Sequence, residues 1–93
     1  MAKALKTNKD FLVIAASRME VVEVFKTIGV CDSCNNSAHK GFLIPVLGSQ
    51  WYCPKCFKEW HSKAKYFKED QEYEHRVFTR YCEILNIDRS LAQ

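Results

Sequence analysis

Four cysteines arranged as two C-x-x-C pairs, Cys31/Cys34 and Cys53/Cys56, are the residues of this chain best suited to chemistry, and 18 residues separate the pairs. Each C-x-x-C step turns two sulfurs toward one point. The segment between is long enough to bring the second pair back to that point, so the spacing predicts a single tetrahedral thiolate site. One Zn2+ in a structural role suits such a donor set; iron suits four thiolates as well and is the ion to look for in recombinant material. Four protein ligands leave no open position for water or substrate. No carboxylate pair, phosphate loop or nucleophile motif accompanies them, so the expectation is a non-enzyme without a small-molecule substrate.

The same cysteines could close two disulfides or act as a C-x-x-C dithiol, and the redox compartment separates these readings. Lys3, Lys6 and Lys9 precede the apolar run 11–16, which copies a signal peptide in outline. Six residues are short for its apolar region, and Asp10 interrupts the start. No stretch approaches the roughly 20 apolar residues of a membrane span. The expectation is therefore an intracellular (cytoplasmic), thiol-reducing setting, no membrane partner, and zinc in place of disulfides. A thiol redox protein is the remote alternative, because its usual βαβ context is missing.

The other reactive side chains read more plainly. Cys82 lies beside Phe78 and Leu85 at helical spacing and is expected as a buried hydrophobe. His39 and His75 have no companion for general-base work. His61 follows Cys56 by five positions and is a surplus donor for a site that four cysteines already fill. Lys58, His61, Lys65 and Lys68 recur at helical spacing with Lys55 and Lys63 nearby. They read either as a phosphate-contacting patch or as the solvated side of an amphipathic helix. Arginine, the bidentate reader of bases and phosphates, is absent from that segment.

These residues need elements to hold them. With 93 residues, 47% apolar and 27% charged, the chain is expected to form one small domain over residues 1–93. A core of that size often needs a metal, and structural zinc can supply on the order of 10 kcal/mol. Residues 10–30 read as an N-terminal helical segment, 31–69 as the four-cysteine core and 70–87 as a C-terminal helix. Ser17 with Glu20 is a capping box, and Val21, Val24, Phe25 and Ile28 continue at helical intervals to Gly29, predicting a helix over 17–28. The run 11–16 fits a strand or an extension of that helix, and both stay open. Asp32, Ser33, Asn35 and Asn36 suit a tight turn whose amides face sulfur.

Residues 41–52 predict a hairpin: Phe42, Leu43, Ile44, Val46 and Leu47 in one strand, Gly48-Ser49 as the turn, and Gln50-Trp51-Tyr52 returning. Pro45 implies an edge strand or a bulge. Because both faces of the strand are apolar, either the terminal helices cover it or Phe42, Leu43, Val46 and Trp51 form a surface for a protein partner. Trp51 and Tyr52 are expected to shield the sulfurs. Pro54 fits the first turn of a helix carrying the stripe Phe57, Trp60, Ala64 and Phe67, with Cys53 and Cys56 at its thiolate-favouring N-terminus. A last helix from Asp70 to Asn86 presents Tyr73, Val77, Phe78, Tyr81, Ile84 and Leu85.

Turn, hairpin, then a helix with two ligands in its first turn resembles the treble-clef zinc fingers. The C-x2-C-x18-C-x2-C spacing is similar to that of GATA-type fingers, over residues 31–66 only. The resemblance implies a small α+β fold: a treble-clef-like zinc finger of knuckle, β-hairpin and helix, with an N-terminal and a C-terminal helix packed around it. It carries over the four metal ligands. GATA-type fingers grip DNA with a basic hairpin and a basic tail, whereas residues 41–52 here hold no charge and 68–74 are acidic. Net charge is +2 over 1–30, +3 over 31–69 and −2 over 70–93. Four bound thiolates and a dication leave a holo-protein near +1, which is no general polyanion binder. The function expected is a zinc-binding module for protein–protein interaction, of adaptor or inhibitor type, using its apolar hairpin or last helix, with nucleic-acid binding through Lys55, Lys58, His61, Lys65 and Lys68 as the alternative.

Overall fold

The run 11–16 is a strand, and it lies at the middle of the molecule. In this computed structural model, which describes residues 2–26, 28–48 and 50–92, β1 (Lys3–Lys6), β2 (Leu12–Ser17), β3 (Lys40–Ile44) and β4 (Gln50–Tyr52) form one antiparallel sheet in that order. Ala4 pairs with Ile14, Ala15 with Phe42, and Leu43 with Trp51. Helices α1 (Arg18–Phe25) and α3 (Gln71–Leu85) pack on one face of the sheet, and α2 (Pro54–Lys63) on the other.

That arrangement explains the unalternating apolar sequence of β2. Leu12, Ile14 and Ala16 point into a core with Val21, Leu43, Trp51, Phe78 and Cys82. Phe11 and Val13 face a second core with Ile44, Phe57, Trp60 and Tyr66. A strand covered on both sides has no reason to alternate. β1 escaped the sequence reading because it is only four residues, with Lys3 and Lys6 exposed along the sheet edge.

The capping box is present: Ser17 Oγ accepts from the Glu20 amide and Glu20 Oε1 accepts from the Ser17 amide. The helix it opens is shorter than expected. It ends at Phe25 with Lys26 in the left-handed conformation, so Ile28 lies beyond it and Gly29 is not its stop; Thr27 is outside the described residues. Pro45 places no edge strand either. β3 is internal, and Pro45 ends it by opening a 3-10 turn over Pro45–Leu47. Of the expected hairpin turn, Ser49 lies outside the described residues, while Gly48 has φ +83° and its carbonyl accepts from Tyr81 Oη.

α2 starts where Pro54 predicts, with Cys53 as N-cap, and stops at Lys63. Phe57, Trp60 and Ala64 pack on the second core as the stripe requires, but Phe67 is past the helix and 50% exposed. Tyr66 takes that place, its ring 5.3 Å from Phe11. α3 is also turned relative to expectation. Its buried face is Glu74, Phe78, Tyr81 and Cys82, whereas Tyr73 and Ile84 are more than two-fifths exposed. Asp70 precedes the helix without a side-chain capping bond. Among the described residues no helix is long and apolar enough to cross a membrane.

Candidate metal centre

Residues 31–37 form a tight knuckle. The Cys31 amide donates to the Asn36 carbonyl and the Asn35 amide to the Cys31 carbonyl, with Asn35 at φ +63°; Val30 and Ser37 bridge across its base. The Ser33 amide lies 3.4 Å from Cys31 Sγ, as expected of a turn whose amides face sulfur. Two bonds then fasten the knuckle to β4. The Asp32 amide donates to the Trp51 carbonyl at 2.9 Å, and the Trp51 amide donates to Asp32 Oδ2 at 2.7 Å. Because Trp51 lies two residues before Cys53, these bonds set the first cysteine pair beside the second. Asp32 was legible in the sequence only as a turn residue.

The result is one cluster in which the four Sγ atoms of Cys31, Cys34, Cys53 and Cys56 lie within 4.8 Å of one another. Cys34 and Cys53 Sγ are 4.0 Å apart. Tetrahedral Zn–S bonds of about 2.3 Å place sulfurs about 3.8 Å apart, and a disulfide about 2.05 Å, so the spacing fits an ion and not a bridge. All five cysteines are free. The donor set therefore fits a zinc-type cation.

The electrostatics agree. Burial raises the Cys31 thiol, yet the amides of Cys34, Cys53 and Ser33 outweigh it and bring it down to about 7. Burial and the neighbouring Cys53 thiol push Cys56 up to about 12. Once one sulfur ionises, the rest resist further negative charge. A divalent cation removes that conflict by neutralising two of the four charges. Burial is unequal across the set: Cys31 and Cys56 are buried, Cys53 is half-buried and Cys34 is exposed.

The remaining candidates separate. His61 lies outside the four-cysteine cluster and packs among aromatic rings. Its ring lies among Phe11, Phe57 and Trp60, its Nε2 is buried without a hydrogen-bond partner, and burial, then Lys9, lowers its pKa below the ordinary value. Lys55 and Lys58 are exposed on α2, while Lys65 follows the helix and Lys68 begins a 3-10 turn, so the expected continuous basic stripe does not form. Leu43 and Trp51 are buried in the main core, and Phe42 stacks on Phe57 with centroids 4.3 Å apart. With Val46 half-buried, helices cover most of the hairpin's apolar surface. Trp51 does not lie over the sulfurs as expected: its Nε1 donates to the Ala16 carbonyl, deep in the sheet. Cys82 is fully buried, and burial raises its thiol to about 11.

A groove between α1 and α3 was missed. Val21, Phe25, Val77 and Ile84 line it together with the charged Asp32 and Arg80, and its volume is about 610 Å3. Tyr73 and Ile84 on its lining, and Met19 and Val24 on α1, leave much apolar surface exposed. The sequence signal was there, in apolar residues of α1 and α3 exceeding what one face could bury. No family model, curated protein or solved structure matches the chain.

Proposed function

We propose that residues 31–66 form a treble-clef-type zinc finger with one structural Zn2+, and that the chain is a non-enzymatic module that holds a protein partner. The observation carrying this reading is the four-sulfur cluster, shared between a knuckle and the first turn of α2 with the β3–β4 hairpin between them. When bound, the ion cross-links the knuckle to α2. A closed set of four sulfurs supports a structural role over a catalytic one.

The partner surface is the α1–α3 groove, and the occupant it fits is an amphipathic helix. Two helices flank an apolar floor of suitable size, which is the helix-in-groove mode of recognition. Arg80 has no ion-pair partner among the described residues and offers the incoming helix a place for one acidic side chain, whereas Asp32 on the same lining disfavours a second acidic group there. Helical peptides selected by display against the zinc-loaded chain test this. They should share an acidic position and lose at least about tenfold in affinity to Arg80→Glu and Ile84→Asp proteins that retain zinc. Peptides indifferent to both changes would place the partner elsewhere.

Nucleic acid is the second reading, supported by Lys65 Nζ lying 5.9 Å over the exposed Phe67 ring, with Lys55 and Lys58 on nearby α2. Charge reversal at Lys58, Lys65 and Lys68 should then reduce DNA or RNA binding together with its salt slope. No binding, or binding without a salt slope, removes it.

A further inference from the structure

From the unequal exposure of the four cysteine residues we infer that Cys34 and Cys53 form an oxidation site for hydroperoxides, at which a cross-link between knuckle and helix displaces the metal. The inference rests on the zinc reading above and concerns how that site is regulated. Cys34 lies open to solvent and Cys53 is half-open, their sulfurs 4.0 Å apart, while Cys31 and Cys56 are buried in the same cluster. An oxidant from solvent therefore reaches one member of each C-x-x-C pair. The two it reaches stand on different elements, the knuckle and the N-cap of α2.

The chemistry balances with the peroxide as the only oxidant. The Cys34 thiolate attacks one peroxide oxygen, the O–O bond breaks, hydroxide leaves and Cys34 becomes a sulfenic acid. The Cys53 thiolate attacks that sulfur, the S–S bond forms, the S–O bond breaks and a second hydroxide leaves. Two sulfurs lose two electrons in all, and the peroxide gains them. The sulfurs need to close only about 2 Å to reach bonding distance. Knuckle residues 32–37 are exposed, so little packing resists that movement. With two of its four donors withdrawn, the chain no longer holds the ion, although the new bond keeps the knuckle tethered to α2.

The test treats the full zinc-loaded chain with hydrogen peroxide beside a chromogenic zinc chelator, followed by peptide mass mapping. Zinc should be released as a Cys34–Cys53 linked peptide appears, Cys82 should stay reduced, and dithiothreitol with added zinc should restore the starting state. Cys34→His keeps a donor but cannot form the bond. It should carry zinc and release it at least about tenfold more slowly. A bridge within Cys31/Cys34 or Cys53/Cys56, or equally fast release from Cys34→His, overturns the inference; should that variant bind no zinc, the wild-type map alone decides. Protein that carries zinc but holds it through the peroxide step overturns this inference and leaves the zinc reading intact. Protein that never binds zinc overturns both.

Discussion

Glu74 is the side chain whose placement departs most from its chemistry. It is fully buried between α3 and β2, with Oε2 accepting from the Leu12 amide at 3.1 Å. Oε1 has no partner at hydrogen-bond distance, and the Tyr66 hydroxyl acts on the carboxyl. Burial raises its pKa, against the Leu12 amide, Tyr66 and Lys6, while Asp70 pushes the same way as burial. A raised folded-state value means the native chain holds the proton more firmly than the unfolded one. Stability from Glu74 is therefore complete below the unfolded pKa and is lost as pH rises through the folded value. Glu74→Gln should be more stable than wild type at pH 7 by about 1 kcal/mol, and that difference should shrink as pH falls. Paired denaturant titrations across pH measure it, and a gap that widens on acidification would sink the argument. Gly41 is constrained by space. A β-carbon there would lie 2.4 Å from the Tyr52 carbonyl oxygen and 2.7 Å from the Trp51 ring. Gly41→Ala should lose about 2 kcal/mol, read from the urea midpoint. Neither role shows in the sequence, since a glutamate on an apolar face looks like a solvated one, and a glycine reports nothing about the ring packed on it.

Helix ends are decided by what meets them. The stripe Phe57, Trp60, Ala64, Phe67 keeps helical period past residue 63, yet α2 stops there and Ala64 turns extended at ψ 147°. Lys9, in the turn between β1 and β2, donates to the His61 carbonyl at 2.6 Å and to the Ala64 carbonyl at 3.1 Å. A cation placed on the open carbonyls of a helix C-terminus stabilises the stop, and the contact spans more than 50 residues of sequence. Lys9→Met should lower stability by about 1 kcal/mol and shift amide exchange most at residues 60–66. Uniform exchange changes along the chain would argue against a local cap. α1 makes the complementary point. Its start was legible because Ser17 and Glu20 cap it locally, whereas its end was not, because Lys26 already turns left-handed three residues before Gly29, which itself has φ +74°.

At the scale of the whole molecule, the sheet and the metal centre are joined mainly through β4. Asp32 binds its edge, and Cys53 follows its last residue. Chelation of the metal should therefore fray the knuckle, β4 and the start of α2 first, while β2 and the Glu74–Cys82 face of α3 keep their amide protection. Hydrogen exchange with and without chelator checks this, and simultaneous loss everywhere would show that the cores cannot stand without the ion. Cys31→Ser should fray the same region, because the buried sulfur it removes belongs to both the knuckle and the cluster. The sequence by itself determined the four-cysteine grouping, the capping box, the start of α2 at Pro54 and the burial of Cys82, because each depends on residues a few positions apart or on a fixed spacing of donor side chains. Tertiary structure alone decided that 11–16 is a central strand, that the hairpin is covered, that a groove opens between α1 and α3, and which of the four cysteines are the more exposed. Those outcomes depend on which surface each element finds opposite it, and residues far apart in the chain supply that surface.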